Sequence, residues 1–570
     1  MGRDIVNEAC RDDPGKRSRL WLLEDVEDIF CCNTIKVVYG TDAVEAIVLD
    51  FPPPEVIIIN PDAFTNMKKL RILILLRVHI SSQAQNFSKL KSINFSECKS
   101  LVSIHDLSSA PNMEKLILNR CESLVEVHPS VGYLVKLKVL SLELCSNLRN
   151  FPNTLKTKSL ETLELRGCSK LEKFPDIDGK MEHLKRLDLR GIAIKELPAS
   201  IENLVSVELM DLAFCKNLMR LPSHIYKLQN LEYFNLESCL NLITFPKNME
   251  DSTDPDGHLG FRKLVYLKLD WCNLSEVQSL ESFSNFLELK YLRLQDNKFA
   301  GLPTCINKYY RLKSLIVDGC ELLQEIPQLP PNIDILSADR CKSLQKLPDL
   351  WGQPSHIGWV SLASCCELFH KGINMDDVAN VSLLEKLPKM KDDVDIVLIG
   401  REMPKWILPC EEDSISFMVP RDLYDKLKGL AFCVVLSPEE GKVVRYSCDF
   451  KILVNGQTVM EGMRYFFAME SDHVCLSYWL KSCKDGLPKD WSHFQLCLRA
   501  EKGSIKKRGL RLICEQREDD LRVVFPTPST DRNKLEFSRE RYSKDNFQWT
   551  SPVERDGDSL SLLTKKILIV

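Results

Sequence analysis

Residues 137–148 read LKVLSLELCSNL, and neighbouring stretches repeat the arrangement: LKSINFSECKSL at 90–101, MEKLILNRCESL at 113–124 and LETLELRGCSKL at 160–171. The shared pattern is L-x-x-L-x-L-x-x-C-x-x-L, in which other apolar residues sometimes replace leucine. Its second apolar position recurs at Ile93, Leu116, Leu140, Leu163, Leu187, Met210, Phe234, Leu267, Leu292, Leu315 and Leu336. Successive copies are 21 to 25 residues apart, except for one spacing of 33 residues.

This period and motif are the signature of leucine-rich repeats, in which each repeat buries its apolar face against its neighbours. The segment x-L-x-L-x alternates with a period of two, which predicts a short strand with leucines inward and x residues outward. A Phe-Pro or Leu-Pro pair often follows, as at Phe174-Pro175 and Leu221-Pro222, and proline stops further strand pairing. We therefore predict an α/β leucine-rich-repeat solenoid, or horseshoe, with an earlier repeat at residues 70–75.

Nine repeats carry cysteine where many leucine-rich repeats carry asparagine: Cys98, Cys121, Cys145, Cys168, Cys215, Cys239, Cys272, Cys320 and Cys341. If the strands stack about 4.8 Å apart, these thiols form a buried column. A metal ion needs ligands that converge on one point, and a column does not converge. We therefore expect structural cysteines, no metal site and no cofactor.

Bulk properties exclude several classes of function. The formal charge of −4 over 570 residues provides no general attraction for nucleic acid. No apolar stretch reaches the roughly 18 residues that a membrane span requires, so we expect no membrane insertion. The first residues lack the apolar core of a secretory signal, so we expect a reducing compartment. No C-x-x-C pair suggests a zinc or redox site.

Beyond about Trp351 the repeat fades, and short β-prone runs follow. They are DIVLIG, SISFMVP, GLAFCVVL, FKILVNG, HVCLSYWL, FQLCLRA and LRLIC, within residues 395–514. Runs of this length between turn-forming residues predict a second, separate domain, a mostly-β sandwich. The polar and charged tail from about residue 526 is expected to be flexible.

Three regions together resemble one family, the plant intracellular nucleotide-binding leucine-rich-repeat disease resistance proteins that begin with a Toll/interleukin-1-receptor domain. The stretch PGKRSRLW at residues 14–21 resembles the segment that joins the nucleotide-binding module to the repeats. The cysteine-bearing repeats are similar to that family's repeats. Gly400, Pro404, Trp406 and the run Ser471-Asp472-His473 resemble its post-repeat jelly-roll or immunoglobulin-like domain.

The resemblance implies a division of the chain. Residues 1–59 would be a remnant of the joining segment, 60–350 about twelve repeats, 351–395 a linker or cap, 396–525 the post-repeat sandwich and 526–570 the tail. The NAD-hydrolysing Toll domain and the nucleotide-binding module are not recognisable in this sequence, so the resemblance predicts a sensor fragment and no enzyme. In this family the partner is a pathogen effector or a host protein altered by one, and the expected location is the cytoplasm, with the nucleus as a second candidate.

Alternation selects candidate contacts on the concave face. Tyr233, Tyr266 and Tyr291 share one outward position on successive repeats, which predicts an aromatic stripe suited to a protein interface, or a stack that only stabilises the repeats. At the middle outward position, Glu164, Asp188 and Asp211 precede Lys268 and Arg293, which predicts an acidic and a basic end that orient a partner, or a merely solvated face.

Three alternatives remain open from the sequence. The chain could act on full-length resistance proteins in trans, as a decoy or regulator. It could be an extracellular receptor ectodomain, since four N-x-S/T sequons occur, at Asn86, Asn94, Asn273 and Asn380. It could be an enzyme, although its scattered histidines form no recognisable catalytic motif.

Overall fold

The repeat motif forms a strand in every copy that the sequence marked. The computed structural model describes residues 14–26, 43–50, 56–57, 67–77, 79–80, 89–242, 245–246, 260–281, 283–351, 357–390, 392–411, 414–438, 446–466, 471–481, 491–501 and 503–515. Most of the long loop expected in the 33-residue spacing, residues 247–259, and the whole tail from residue 526 lie outside these ranges.

The strands up to Leu362 are short, and each second apolar position of the motif is the middle residue of one of them. In chain order they are β1 (Arg19–Leu20), β2 (Ala46–Asp50), β3 (Val56–Ile57), β4 (Ile72–Leu76), β5 (His79–Ile80), β6 (Ser92–Asn94), β7 (Ser103–Ile104), β8 (Lys115–Ile117), β9 (Glu126–Val127), β10 (Val139–Ser141), β11 (Thr154–Leu155), β12 (Thr162–Glu164), β13 (Asp176–Ile177), β14 (Arg186–Asp188), β15 (Leu209–Asp211), β16 (Tyr233–Asn235), β17 (Tyr266–Lys268), β18 (Tyr291–Arg293), β19 (Ser314–Ile316), β20 (Ile335–Ser337) and β21 (Trp359–Leu362).

One parallel sheet runs through the repeats, because β1, β2, β4, β6, β8, β10, β12 and then β14 to β21 each pair in parallel with the next. Equivalent residues lie directly opposite one another, so the inward leucines form a continuous core in which Leu140, Leu163 and Leu187 are fully buried. The predicted leucine-rich-repeat solenoid is confirmed.

The chain returns on the other side through short segments. Three two-stranded pairs, β3 with β5, β7 with β9 and β11 with β13, lie outside the main sheet. Most of the other returns are 3-10 helices: Pro129–Tyr133, Ala199–Asn203, Ser223–Lys227, Gln278–Glu281, Phe283–Phe286 and Thr304–Lys308. A further 3-10 helix, Pro14–Lys16, precedes β1, and another, Leu387–Lys389, follows the repeats.

The parallel sheet extends beyond residues 60–350 at both ends. At the N-terminal end β2 pairs along its whole length with β4, and its apolar residues Ile47 and Leu49 are buried in the common core together with Val44, which precedes the strand. At the C-terminal end β21 adds a further repeat, in which Val360 and Cys365 occupy the motif positions. We expected the repeat to fade beyond about Trp351. It continues there instead, with valine and isoleucine at the leucine positions of the motif.

A left-handed residue precedes the cysteine of each repeat. Arg120 has a φ of 59°, Phe214 a φ of 61° and Trp271 a φ of 53°. Gly319 occupies the same position with a φ of 70°, and a Cβ atom there would lie 2.2 Å from the Asp296 carboxylate. This sharp turn ends each strand and aims the following cysteine into the core.

The last part of the chain is a two-sheet sandwich. Its strands are β22 (Val394–Ile399), β23 (Leu408–Cys410), β24 (Ser414–Pro420), β25 (Leu427–Pro438), β26 (Tyr446–Val454), β27 (Gln457–Phe466), β28 (His473–Leu480), β29 (Trp491–Glu501) and β30 (Gly503–Cys514). The helices are α1 (Cys366–His370), α2 (Met375–Val378), α3 (Val381–Lys386) and α4 (Arg421–Lys426). All seven β-prone runs lie on strands, whereas β23 and β27 were not predicted.

One sheet of the sandwich is a direct continuation of the repeat sheet. Strand β22 pairs in parallel with β21 and antiparallel with β28, after which β25, β30 and β23 follow. The second sheet contains β24, β29, β26 and β27 in that order. Backbone hydrogen bonds therefore join the two regions into one sheet, while the sandwich keeps a core of its own between its two sheets.

The second sheet covers the concave side at this end. In β22, Ile396 and Leu398 belong to the apolar core of the repeats, whereas Val397 points the other way. Val397 and Ala363 instead belong to the core between the two sheets of the sandwich, together with Phe417 of β24. Since alternate residues of the repeat strands face the concave side, the second sheet stands on that side and bounds it.

Candidate protein-binding surface

The three tyrosines of the predicted stripe lie side by side. Tyr233 pairs with Tyr266, and Tyr266 with Tyr291, in the parallel register of β16, β17 and β18. The first two rings stack with centroids 5.1 Å apart and planes at 24°, and the next two are 5.7 Å apart at 32°. All three side chains are half-buried. The stripe therefore exists as predicted, and its rings also stabilise neighbouring repeats through stacking.

The hydroxyl groups of Tyr233 and Tyr266 are neutral donors. Burial raises the pKa of Tyr233 and of Tyr266 above the ordinary value of a phenol. The neighbouring Arg293 guanidinium acts on the pKa of Tyr266 in the opposite direction. Among the described residues, no hydrogen bond reaches the hydroxyl of Tyr233 or Tyr291. Two of the three hydroxyls can therefore bond to a partner.

The acidic group at the middle position is paired within the sheet. Asp188, whose side chain is 1% exposed, accepts hydrogen bonds from Nε of Arg190 at 2.9 Å and from Nη2 of Arg190 at 2.5 Å. Glu164 accepts from the Ser141 hydroxyl at 2.8 Å. Asp211 accepts from the backbone N–H of Ala213 at 3.0 Å, and burial raises its pKa.

The basic group is paired in the same way. Lys268 lies 2.5 Å from the Glu237 carboxylate, and Nε of Arg293 lies 2.9 Å from Asp270. Burial raises the pKa of Asp270. The predicted acidic and basic ends are therefore largely neutralised. The opposite charges come from Arg190, Glu237 and Asp270, each of which lies two residues after the middle outward position of its repeat.

The sequence analysis missed two aromatic residues at the rim of the concave face. Phe214 is 50% exposed and Trp271 is 41% exposed, and both occupy the left-handed position that precedes a repeat cysteine. They follow β15 and β17, so they flank the same repeats as the tyrosine stripe. Each directly precedes the repeat cysteine, which is a fixed position of the motif. The alternation of inward and outward residues does not extend to this position, so it did not predict that the two side chains are exposed.

A cleft of about 510 Å³ lies beside the end of the stripe. Its lining includes Lys290, Lys313 and Asp334 from the repeats and Asp393 and Val394 from the start of the sandwich. The cleft therefore adjoins the stripe at Lys290, next to Tyr291, and reaches the start of the sandwich at Val394.

The cysteine column is built from hydrogen bonds. Each thiol donates to a carbonyl oxygen of the preceding repeat, as in Cys121 to Phe95 at 3.0 Å and Cys272 to Leu236 at 3.1 Å. Cys365 extends the column by one repeat, donating to Ala338 at 3.0 Å. Burial raises the pKa of the Cys215 and Cys320 thiols to about 12, so these sulfurs stay protonated. The predicted structural role fits these contacts.

Two absences are limited to the residues that the structure describes. Within them, no group of three or more His, Cys, Asp or Glu side chains is arranged to hold a metal ion. Across the same ranges, no helix combines the length and apolar character that crossing a bilayer demands.

The repeats are similar in sequence to those of known proteins. The family model described as "Disease resistance protein RPS4B-like, leucine-rich repeats" matches residues 157–371. TMV resistance protein N of Nicotiana glutinosa is 27% identical over 534 residues, which covers 76% of this chain and 46% of that protein. Disease resistance-like protein CSA1 of Arabidopsis thaliana is 30% identical over 236 residues, covering 35% of this chain and 19% of that protein.

Among solved structures, a leucine-rich-repeat protein of Leptospira interrogans is 20% identical, with a TM-score of 0.34, and the match covers 63% of this chain and 83% of that one. The fold assignment rests on the strand register, and this superposition adds nothing to it. Register and surface define a leucine-rich-repeat protein. The sequence matches go further, since the repeat region is similar to the leucine-rich repeats of plant disease resistance proteins. The chain spans less than half the length of the curated relatives it matches.

Proposed function

We propose that this chain is the recognition part of an innate-immune sensor in plant defence. It binds a pathogen effector, or a host protein that an effector has altered, through the concave repeat face and the adjoining sandwich. The relatives, which are disease resistance proteins, support a role in disease resistance. The observation that carries the proposed surface is the stack of Tyr233, Tyr266 and Tyr291, flanked at the rim by Phe214 and Trp271.

The physical basis is the concentration of aromatic side chains on one face. Tyrosine and tryptophan supply much of the binding free energy at protein interfaces, because they bury a large apolar area and keep a polar end. Repeat solenoids present extended concave surfaces of this kind to protein partners. The cleft at Lys290 and Val394 extends the surface from the stripe to the sandwich, so both regions contribute contacts.

The resemblance to this family also motivates a proposed location. We place the chain in the cytoplasm, with the nucleus as a second location, and propose no catalytic activity, nucleic-acid partner or membrane insertion. At two of the sequons that an extracellular receptor would use, the asparagine already has a structural role. Asn94 accepts a hydrogen bond from the backbone N–H of Ser96, and Asn380 caps α3.

A second candidate is action in trans on full-length resistance proteins, as a decoy or regulator. In that case the partner would be another resistance protein, and the same surface would hold it.

Both candidates are tested by expressing the tagged full chain in plant tissue challenged with a pathogen and identifying bound proteins by mass spectrometry. The variant Tyr233→Ala/Tyr266→Ala/Tyr291→Ala should lose the specific partner, because three central aromatic contacts disappear. Tyr133→Ala is the matched control, since Tyr133 is 53% exposed and lies in the 3-10 helix Pro129–Tyr133, outside the concave sheet.

The identity of the partner separates the candidates. An effector or host protein supports the sensor, whereas full-length resistance proteins alone support the decoy. Retention of the partner by the triple variant, at the level of the wild type and of Tyr133→Ala, would remove the stripe from the binding site.

A further inference from the structure

The residue before each tyrosine forms a second row beside the stripe. These residues are Glu232, Val265 and Lys290, at the edge of the concave sheet. Glu232 is exposed, and Val265 and Lys290 are half-buried. The row thus has a negative group at one end, an apolar side chain in the centre and a positive group at the other end.

At several other repeats the same position is neutralised by its neighbour. Lys91 bonds to Glu114 at 2.8 Å, and Lys185 bonds to Glu208 at 2.9 Å. Among the described residues, neither Glu232 nor Lys290 belongs to a salt bridge. The pairing is interrupted because Val265 separates the two charges by two repeats. Beside the stripe, both signs of charge are therefore available to a partner.

The stack restricts what the tyrosines can offer. Each face of Tyr266 is covered by a neighbouring ring, at centroid distances of 5.1 Å and 5.7 Å. A partner cannot insert a side chain between rings that already touch, so it meets ring edges and hydroxyl groups. Because the hydroxyls of Tyr233 and Tyr291 have no hydrogen-bond partner among the described residues, they suit backbone carbonyl groups.

We infer that Glu232, Lys290 and the stripe hold an extended protein segment that runs along the solenoid axis, with a basic residue at Glu232 and an acidic residue at Lys290. The two anchors are two strand spacings apart, about 10 Å. An extended chain in the polyproline II conformation spans this distance in about three residues, and its three residues per turn bring both charged side chains to the same face. An apolar side chain between the charges rests on Val265. This inference depends on the proposed function and adds the chemistry of the partner to it.

The inference predicts a change of specificity. Short random peptides displayed on phage are selected on the immobilised full chain, on Glu232→Lys and on Lys290→Glu. The wild type should enrich peptides with one basic and one acidic residue about three apart and an apolar residue between them. Glu232→Lys should enrich two acidic residues at that spacing, and Lys290→Glu two basic residues, because like charges oppose binding.

Glu161→Lys is the matched control. Glu161 has the same place in its repeat, is exposed and belongs to no salt bridge among the described residues, but it precedes Thr162 and lies apart from the stripe. Its selected peptides should equal those of the wild type. Tyr233→Phe/Tyr291→Phe, which keeps the rings, should weaken the selected peptides about tenfold through the loss of two hydrogen bonds.

The outcomes separate the two levels of the proposal. If the plant partner depends on the tyrosines but its affinity is unchanged by Glu232→Lys and Lys290→Glu, the segment inference is overturned and the proposed function stands. If no peptide is enriched, or if charge reversal leaves the selected sequences unchanged, the inference is equally overturned. A partner that ignores the tyrosines would overturn both.

Discussion

One continuous sheet has a region with an open concave face and a region in which that face is covered. At β16 to β18 the concave face is open, with half-buried tyrosines and exposed rim aromatics. At β21 and β22 the same face is covered by the second sheet of the sandwich, and Ala363 and Val397 are 4% and 3% exposed. Strand pairing is the same in both regions, so the difference lies in the outward side chains. The open region presents stacked tyrosines and ion-paired residues, whereas Ala363 and Val397 in the covered region are small, apolar and packed against the second sheet.

A polar contact at the covered end joins the repeats to the sandwich. The backbone N–H of Ser364 donates to Nε2 of His473 at 2.9 Å, beside the Ser361 hydroxyl, which donates to Asp339 at 2.6 Å within the repeats. Nδ1 of His473 lies 2.8 Å from the Ser471 carbonyl oxygen, which fixes the neutral ring with its proton on Nδ1. The sandwich is therefore positioned against the last repeat by backbone pairing and by one buried imidazole.

The largest effect is expected from a charge placed in the covered region. Val397→Asp buries a carboxylate between the two sheets and should destabilise the sandwich by more than about 3 kcal/mol. The matched control is Ile316→Asp, at the same strand position of β19, where the side chain is half-buried. It should cost under about 2 kcal/mol. Chemical denaturation measures both free energies of unfolding, and equal values would contradict the covering of Val397.

The second prediction concerns pH. Burial lowers the pKa of His473 to about 4, from an ordinary value of 6.5, so the unfolded chain takes up the proton first. The stabilising contribution of the neutral ring is complete above pH 6.5 and is lost as pH falls towards 4. Between pH 7 and pH 5 the loss should be about 2 kcal/mol.

The control for this prediction is His473→Gln, which keeps an acceptor for Ser364 and does not titrate. Neighbouring charges are common to both proteins: Asp472 with Arg401 and Lys506, and Asp339, whose pKa burial raises to about 7. The difference between the two proteins therefore isolates His473. If wild type and His473→Gln lost the same free energy of unfolding between pH 7 and pH 5, a buried neutral imidazole at the junction would be ruled out.

The smallest effect on the free energy of unfolding is expected at the concave face of the open region. Lys268→Met removes the ion pair with Glu237, in which the side chains are 17% and 18% exposed. Because the pair is partly solvated, the expected loss is about 1 kcal/mol. Thermal unfolding of this variant should stay close to that of the wild type, and a loss as large as that of Val397→Asp would show that the open face is as structurally constrained as the covered one.

The sequence predicted the repeats because leucine spacing is a local and regular signal. It missed β2 and β21 because Val44, Ile47, Ile357 and Val360 serve as leucine equivalents there. The stripe was predictable, since one period places Tyr233, Tyr266 and Tyr291 in register. The neutralisation of the charges was missed because Arg190 and Asp270 lie in a third outward row, two residues after the middle position, which the predicted contacts did not include.

The joining of the two regions was beyond such a reading. Strand β22 pairs with both β21 and β28, and the second contact links residues about eighty positions apart, such as Asp395 and Ser477. No local pattern marks which strands become neighbours over that distance. The same applies to His473, whose partner Ser364 belongs to a repeat that was itself unrecognised.

The central claim, that the open concave face binds a protein, is tested most directly by hydrogen exchange on the full chain with and without the partner recovered from plant tissue. Slower exchange on binding should concentrate in β16 to β18, in the turns at Phe214 and Trp271, and in the segment around Val394. Protection confined to the 3-10 helices of the opposite side, with no change at β16 to β18, would contradict the claim.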